Sequence, residues 1–110
     1  MADRGGAPVI LYKRWRLHDG TDVEQVRTLV SESIVPMYRA LSADVVLGLE
    51  LCSDRRSVLA IQRWRSRTRL ERAMSGPAFP RWWSGYQPIL AKWDALLVLE
   101  SEWETDELLI

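Results

Sequence analysis

Cysteine and histidine occur once each in this chain, as Cys52 and His18. A lone cysteine excludes an internal disulfide, and one histidine with one cysteine gives no spacing that would hold a zinc ion. A surplus of either charge is also missing: Lys+Arg and Asp+Glu number 15 each, so net charge offers no attraction to nucleic acid or to an anionic membrane. No apolar run approaches the ~18 residues that span a bilayer. Residues 1–7, MADRGGA, lack the apolar core of a secretion signal. A cytoplasmic, reducing environment, no membrane and no nucleic-acid partner are the expectations. Against these absences stand 47% apolar residues and six tryptophans in 110 positions, enough for the core of a single domain that needs no metal or disulfide. The expected organisation is a flexible N-terminus at 1–7, one domain at 8–104, and a C-terminal tail at 105–110 that ends in three apolar residues and is free to dock.

Hydrophobic periodicity divides the domain. Residues 8–17 alternate, with Val9, Leu11, Lys13, Trp15 and Leu17 on one face and Ile10, Tyr12, Arg14 and Arg16 on the other, which predicts a strand. After the His18-Asp19-Gly20 turn, Thr21 and Glu24 fit a capping box. Val23, Val26, Val30, Ile34, Met37 and Leu41 then recur as one helical stripe, with Pro36 expected to kink or loosen the last turn. Residues 44–52 and 57–64 read as a hairpin joined at Asp54-Arg55-Arg56. A helix over about 66–75, a second helical piece over about 78–91 with a kink at Pro88, and a strand over 94–104 complete the chain.

The order strand–helix–strand, strand–helix–strand is that of a doubled split βαβ unit, an α+β ferredoxin-like domain (βαββαβ) with an antiparallel four-stranded sheet in the order 4-1-3-2. In that order strands one and four are neighbours, so Arg14 and Arg16 are expected to pair with Glu100, Glu102 and Glu104. Helices cover one face only. The other face carries Ile10, Tyr12, Val46, Cys52, Leu59 and Ile61, which is too apolar for water, and a homodimer through that face is the expected remedy.

Several side chains have the chemistry for a site. Lys13 shares the helix-facing side of its strand with Leu11 and Trp15. It either enters an apolar pocket as a base or snorkels to the rim. Trp82, Trp83, Tyr86 and Leu90 fall on one helical face, which is core spacing, although three large rings also form a slot for a planar ligand. Trp64 shares a strand face with Val58, Ala60 and Gln62, and small Ala60 beside polar Gln62 leaves room for a ligand. His18 reads as a solvated turn residue and Cys52 as a small apolar one. Arg63, Arg65, Arg67, Arg69 and Arg72 point in several directions and read as a rim that pairs with the acidic fourth strand or the tail.

The strand end Gln62-Arg63-Trp64, the turn Trp64-Arg65-Ser66, Leu70, and the step Ser75-Gly76-Pro77-Ala78-Phe79 carry a family likeness. Over about residues 8–104 the chain resembles the antibiotic biosynthesis monooxygenase (ABM) family of dimeric α/β barrels. The resemblance implies a homodimer with one pocket per subunit between sheet and helices. It implies a cofactor-independent oxygenase acting on an aromatic or polyketide-type small molecule, whose carbanion passes an electron to oxygen. The pocket would be lined by Trp15, Gln62, Trp64, Trp83 and Tyr86, with Lys13 at its mouth. Catalytic candidates are Lys13, Gln62 and Trp64. Oxygenases of this family accompany the tryptophan with an asparagine and a tyrosine, where this chain has Ala60 and Leu70; Gln62 would then stand in for the asparagine. Haem-degrading relatives use residues that fall on Lys13, Ala73 and Trp83, none of which is an axial histidine. No cofactor and no metal are expected. The alternatives are a cyclase or isomerase of the same fold, and a non-catalytic ligand-binding or structural dimer. A cavity of roughly 300 Å³ or more beside Trp64, with Gln62 and Lys13 facing in, would favour an enzyme.

Overall fold

Alternation places β1 (Val9–Leu17) at the centre of the sheet, between β3 (Ser57–Trp64) and β4 (Leu97–Thr105), with β2 (Val45–Leu51) outside β3. All three pairings are antiparallel, so the order β2-β3-β1-β4 is the expected ferredoxin-like one. The structure is a computed structural model that describes residues 6–107 and 109–110. The expected flexible segment 1–7 therefore lies mostly outside the described residues, as does Leu108. Between the strands run α1 (Val23–Leu29), a π-helical turn (Val30–Ile34), α2 (Val35–Leu41), α3 (Arg67–Ser75) and α4 (Phe79–Leu96). The core joins sheet residues Val9, Val45, Val58, Trp64 and Leu97 to helix residues Val26, Leu29, Ile34, Tyr38, Trp82, Tyr86 and Trp93. Among the described residues, no helix is long and apolar enough to cross a membrane.

The first helix starts one residue later than its sequence signal. Asp22, not Thr21, is the cap: its carboxylate accepts from the Glu24 N–H at 3.0 Å, while Gln25, not Glu24, reaches back to the Asp22 N–H at 2.9 Å. Aspartate and glutamine satisfy the same orphan amides, so two overlapping boxes compete and the carboxylate takes the cap. The disturbance at Pro36 lies before the proline rather than after it. Proline has no N–H to give the Glu32 carbonyl, and its ring crowds that carbonyl. The preceding turn widens instead, with the Val35 N–H bonding to Val30 five residues back.

At the other connection, β3 ends on Trp64 and Ser66 caps α3, its hydroxyl accepting from the Arg69 N–H at 3.1 Å. Helix α4 runs to Leu96, five residues beyond the expected end near 91, and absorbs the first residues read as strand. Trp82, Tyr86 and Trp93 explain the extension: they recur at helical spacing and all three are buried. Pro88 lies inside this helix on its exposed side, where water can satisfy the Ser84 carbonyl it leaves free.

A bulge in β4 overturns the expected charge pairs. Leu97 and Leu99 oppose Leu17 and Trp15; the register then shifts between Trp15 and Arg14, and Ser101 opposes Arg14. The extra residue exchanges the faces of everything beyond it. Glu102 and Glu104 join the side of Lys13 and Leu11, and Trp103 turns to the opposite face against Tyr12, stacked at 5.4 Å. Arg14 is left to pair with Asp54 at 2.9 Å, and Glu100 accepts from the Ser57 hydroxyl at 2.8 Å. Of the arginine run, Arg67 does bond to Glu104 at 2.8 Å, while Arg65 and Arg69 flank Asp44 at 3.8 and 3.6 Å. The sheet face away from the helices bears Val46, 67% exposed, and Trp103, 46% exposed. In the tail, Leu109 and Ile110 are exposed.

Two glycines of the helical layer respond oppositely to a methyl group. A Cβ on Gly76 would meet the Arg72 carbonyl oxygen at 2.9 Å, a contact that only backbone movement relieves. A Cβ on Gly85, inside α4, would meet nothing nearer than the Met37 methyl at 3.7 Å. In urea denaturation, Gly76→Ala is expected to lose about 1–3 kcal/mol, whereas Gly85→Ala is expected to gain up to about 1 kcal/mol from helix propensity.

Candidate functional site

Small and polar side chains interrupt an otherwise large-residue sheet at one place. Ala60 stands between Lys13 and Leu49 in one cross-strand row, and Gln62 stands between Leu11 and Leu47 in the next. Over these rows the helices leave a cavity of about 220 Å³. Its floor is the helix-facing side of β1, β2 and β3, including Trp15. Its roof is Val30 and Ile34 from the π turn, Tyr38 from α2, and Trp83, Tyr86, Leu90 and Trp93 from α4. Trp15 and Trp93 meet edge to face at 5.3 Å and close one end. The widened turn ahead of Pro36 thus supplies two wall residues.

Five of the expected residues, Lys13, Trp15, Gln62, Trp83 and Tyr86, line this cavity. Trp64 does not, which corrects its expected place against the ligand. It is fully buried behind Gln62, at the row formed with Val9 and Val45, where core packing leaves no opening. Its influence is indirect. The Trp64 indole N–H donates to Gln62 Oε1 at 3.1 Å, and Gln62 Nε2 donates to the Tyr38 hydroxyl oxygen at 3.1 Å. Tyr86 packs edge to face against Tyr38, with ring centres 5.7 Å apart. Burial, the largest influence, raises the Tyr38 phenol above its ordinary range, and the bond from Gln62 offsets this in part. Burial raises Tyr86 further, and the neighbouring Tyr38 adds to the effect. Both rings are neutral phenols at physiological pH.

Lys13 occupies the rim. Its side chain is 44% exposed and its ammonium lies 3.8 Å from the Glu102 carboxylate, so it guards the mouth rather than entering a dry pocket. Trp83, 44% exposed, forms the opposite lip and stacks on Phe79. Trp82 belongs to the core: it is buried against Tyr86 at 4.9 Å, and its indole N–H bonds to the Met37 carbonyl at 2.6 Å. His18 lies away from the cavity, with Nε2 3.3 Å from the Asp94 carbonyl. Among the described residues, no cluster of three His, Cys, Asp or Glu side chains is placed to hold a metal ion. Sequence reasoning missed Tyr38 and Trp93. Both carried a signal: Tyr38 follows Val30 and Ile34 at four-residue steps, and Trp93 continues the row of Trp82 and Tyr86.

No protein-family model matches the chain, and no curated protein matches it in sequence. Solved structures match its fold. SnoaB, a cofactor-independent oxygenase from Streptomyces nogalater, superposes with a TM-score of 0.66 at 17% identity over 94% of this chain and 96% of that one. A Chloroflexus aurantiacus protein provisionally called an antibiotic biosynthesis monooxygenase gives 0.58 at 15%, over 93% and 94%. Rv0793 from Mycobacterium tuberculosis gives 0.60 at 20%, over 93% and 96%. At such identities the likeness establishes the fold.

The two raised phenols make stability depend on pH in a defined direction. Unfolded tyrosine ionises near 10, and in the fold both groups hold their protons above that value. Above about pH 10 the folded state therefore binds more protons than the unfolded one, and stability falls as pH rises from there. The urea midpoint is expected to decline above pH 10 in the native protein and to decline less steeply in Tyr86→Phe.

Proposed function

We propose that this protein binds a small planar phenol or hydroquinone in the cavity under Tyr38 and promotes its oxidation by molecular oxygen without a bound cofactor. The observation that carries this reading is the polar chain Trp64–Gln62–Tyr38, which ends at the wall of an otherwise apolar, aromatic-lined cavity. An apolar slot with few, well-placed polar groups is the usual form of a small-molecule site. The fold shared with SnoaB, itself a cofactor-independent oxygenase, supports the reaction class.

Size narrows the substrate. A dry cavity of about 150 Å³ takes benzene, so 220 Å³ suits one bicyclic aromatic better than an extended polycycle. The volume falls below the roughly 300 Å³ expected of a drug-sized pocket, and this favours, as the second reading, a binding protein for such a molecule. In the oxygenase reading the substrate supplies every electron. For an activated methylene carbon the balance is R₂CH₂ + O₂ → R₂C=O + H₂O, with one oxygen atom on carbon and the other leaving as water. Apolar walls hold the ring and admit oxygen, and the hydroxyl–amide chain fixes the ring oxygen from which electron density flows.

The functional unit in this proposal is a homodimer formed through the open sheet face. Val46, Trp103 and the Tyr12–Trp103 stack leave an apolar surface that water solvates poorly and a second copy would cover. Sedimentation velocity at micromolar concentration is expected to give a dimer, and Trp103→Asp a monomer; a native monomer would refute the assembly.

Oxygen-electrode measurements with naphthol- and anthrone-type compounds test the activity. Uptake with at least one of them is expected. Turnover without oxygen would instead indicate a cyclase or isomerase, and tight binding without turnover the binding-protein reading. Because Lys13 is half exposed and already paired, Lys13→Met is expected to raise KM by no more than about fivefold, the ~1 kcal/mol of an exposed contact, with kcat retained.

A further inference from the structure

Hydrogen-bond capacity around Tyr38 is almost fully determined by one group that has no choice. An indole N–H can only donate. Its bond to Gln62 therefore fixes the amide with oxygen toward Trp64 and nitrogen toward Tyr38. The amide nitrogen can only donate as well, so the Tyr38 oxygen accepts from it. That amide bond uses the Tyr38 oxygen as acceptor and leaves the hydroxyl hydrogen uncommitted. The Tyr38 hydrogen is left to give. The second N–H of Gln62 is likewise left over. Among the described residues no hydrogen bond of acceptable geometry takes up either one. Tyr38 and Gln62 both line the cavity.

We propose that the Tyr38 hydroxyl and the free Gln62 N–H form a two-donor seat for the oxygen of the bound ligand, and that this seat selects the ligand in its anionic phenolate or enolate form. The inference rests on the reading that the cavity takes a phenolic ring. The seat contains donors and no base. No carboxylate lines the cavity among the described residues, and Glu102, beside it, is engaged by Lys13. The ligand proton therefore goes to solvent water through that mouth: ArOH + H₂O → ArO⁻ + H₃O⁺, with no residue of the seat changing charge. Hydrogen bonds to the charged form favour it over the neutral acid. The electron-rich anion is the form that reduces oxygen. Trp64 touches no ligand in this arrangement and acts as a positioning residue, because its N–H keeps the amide from turning its oxygen toward the seat.

A spectroscopic titration decides the matter. The probe is 2-naphthol, whose anion absorbs at longer wavelength than tyrosinate, with naphthalene as a control that lacks the oxygen. The bound naphthol is expected to ionise at least about one pH unit below the free compound. In Tyr38→Phe that displacement is expected to vanish, and in Trp64→Phe to shrink, with naphthalene binding to each variant read alongside as the measure of the apolar cavity itself. Ionisation of bound naphthol at or above its free value, or a displacement that survives in Tyr38→Phe, would overturn the seat while leaving the cavity reading intact. Failure of both naphthol and naphthalene to bind the folded native protein would overturn the two together. A lowered ionisation with no oxygen uptake would uphold the seat and count against the oxygenase.

Discussion

One buried indole N–H governs the polarity of the site. Trp64 is fully enclosed by the core, so its single donor must find an acceptor inside the protein; left unpaired, it would cost about 1–3 kcal/mol. The acceptor is Gln62, two residues back on the same strand face. From that bond follow the orientation of the amide and the accepting role of Tyr38. A packing residue thereby acts on a cavity it never touches. In the proposed seat, core packing and ligand binding depend on the same bond.

Two departures from regular secondary structure shape the rest. The π turn ahead of Pro36 widens the helix where it crosses the sheet and lends Val30 and Ile34 to the cavity wall. The β4 bulge exchanges the faces of that strand midway. One consequence is local to the site: Glu102 comes beside Lys13 and holds the lysine at the rim. The other is remote from it: Trp103 turns onto the open face and stacks on Tyr12, enlarging the apolar surface offered to a partner. A single inserted residue thus couples the mouth of the cavity to the character of the outer face.

Much of this architecture is legible in the amino-acid order because it rests on short-range rules. Alternation at Val9–Leu17 and Ser57–Trp64 marks strands, the serine before Arg67 caps a helix, and the element order leaves one economical sheet topology. The cavity's place is legible as well, through small Ala60 beside Gln62. The end of α4 is harder to read: residues 94–97, DALL, suit a helix or a strand equally, and burial of Trp93 against Trp15 decides for the helix. The Glu–Arg pairs across strands one and four follow from perfect alternation, which the bulge breaks.

By itself the sequence determined the fold class, the sheet order, the helix-facing side of each inner strand and five of the residues around the cavity, because alternation, helical period and capping act between neighbours. Only the tertiary structure decided that Trp64 stands behind the site rather than in it, that Tyr38 completes it from α2, and that Lys13 is held at the rim by Glu102. Those outcomes depend on three-dimensional depth, on a one-residue change of register and on which donors lack any alternative acceptor. None of these is encoded in the spacing of residues along the chain.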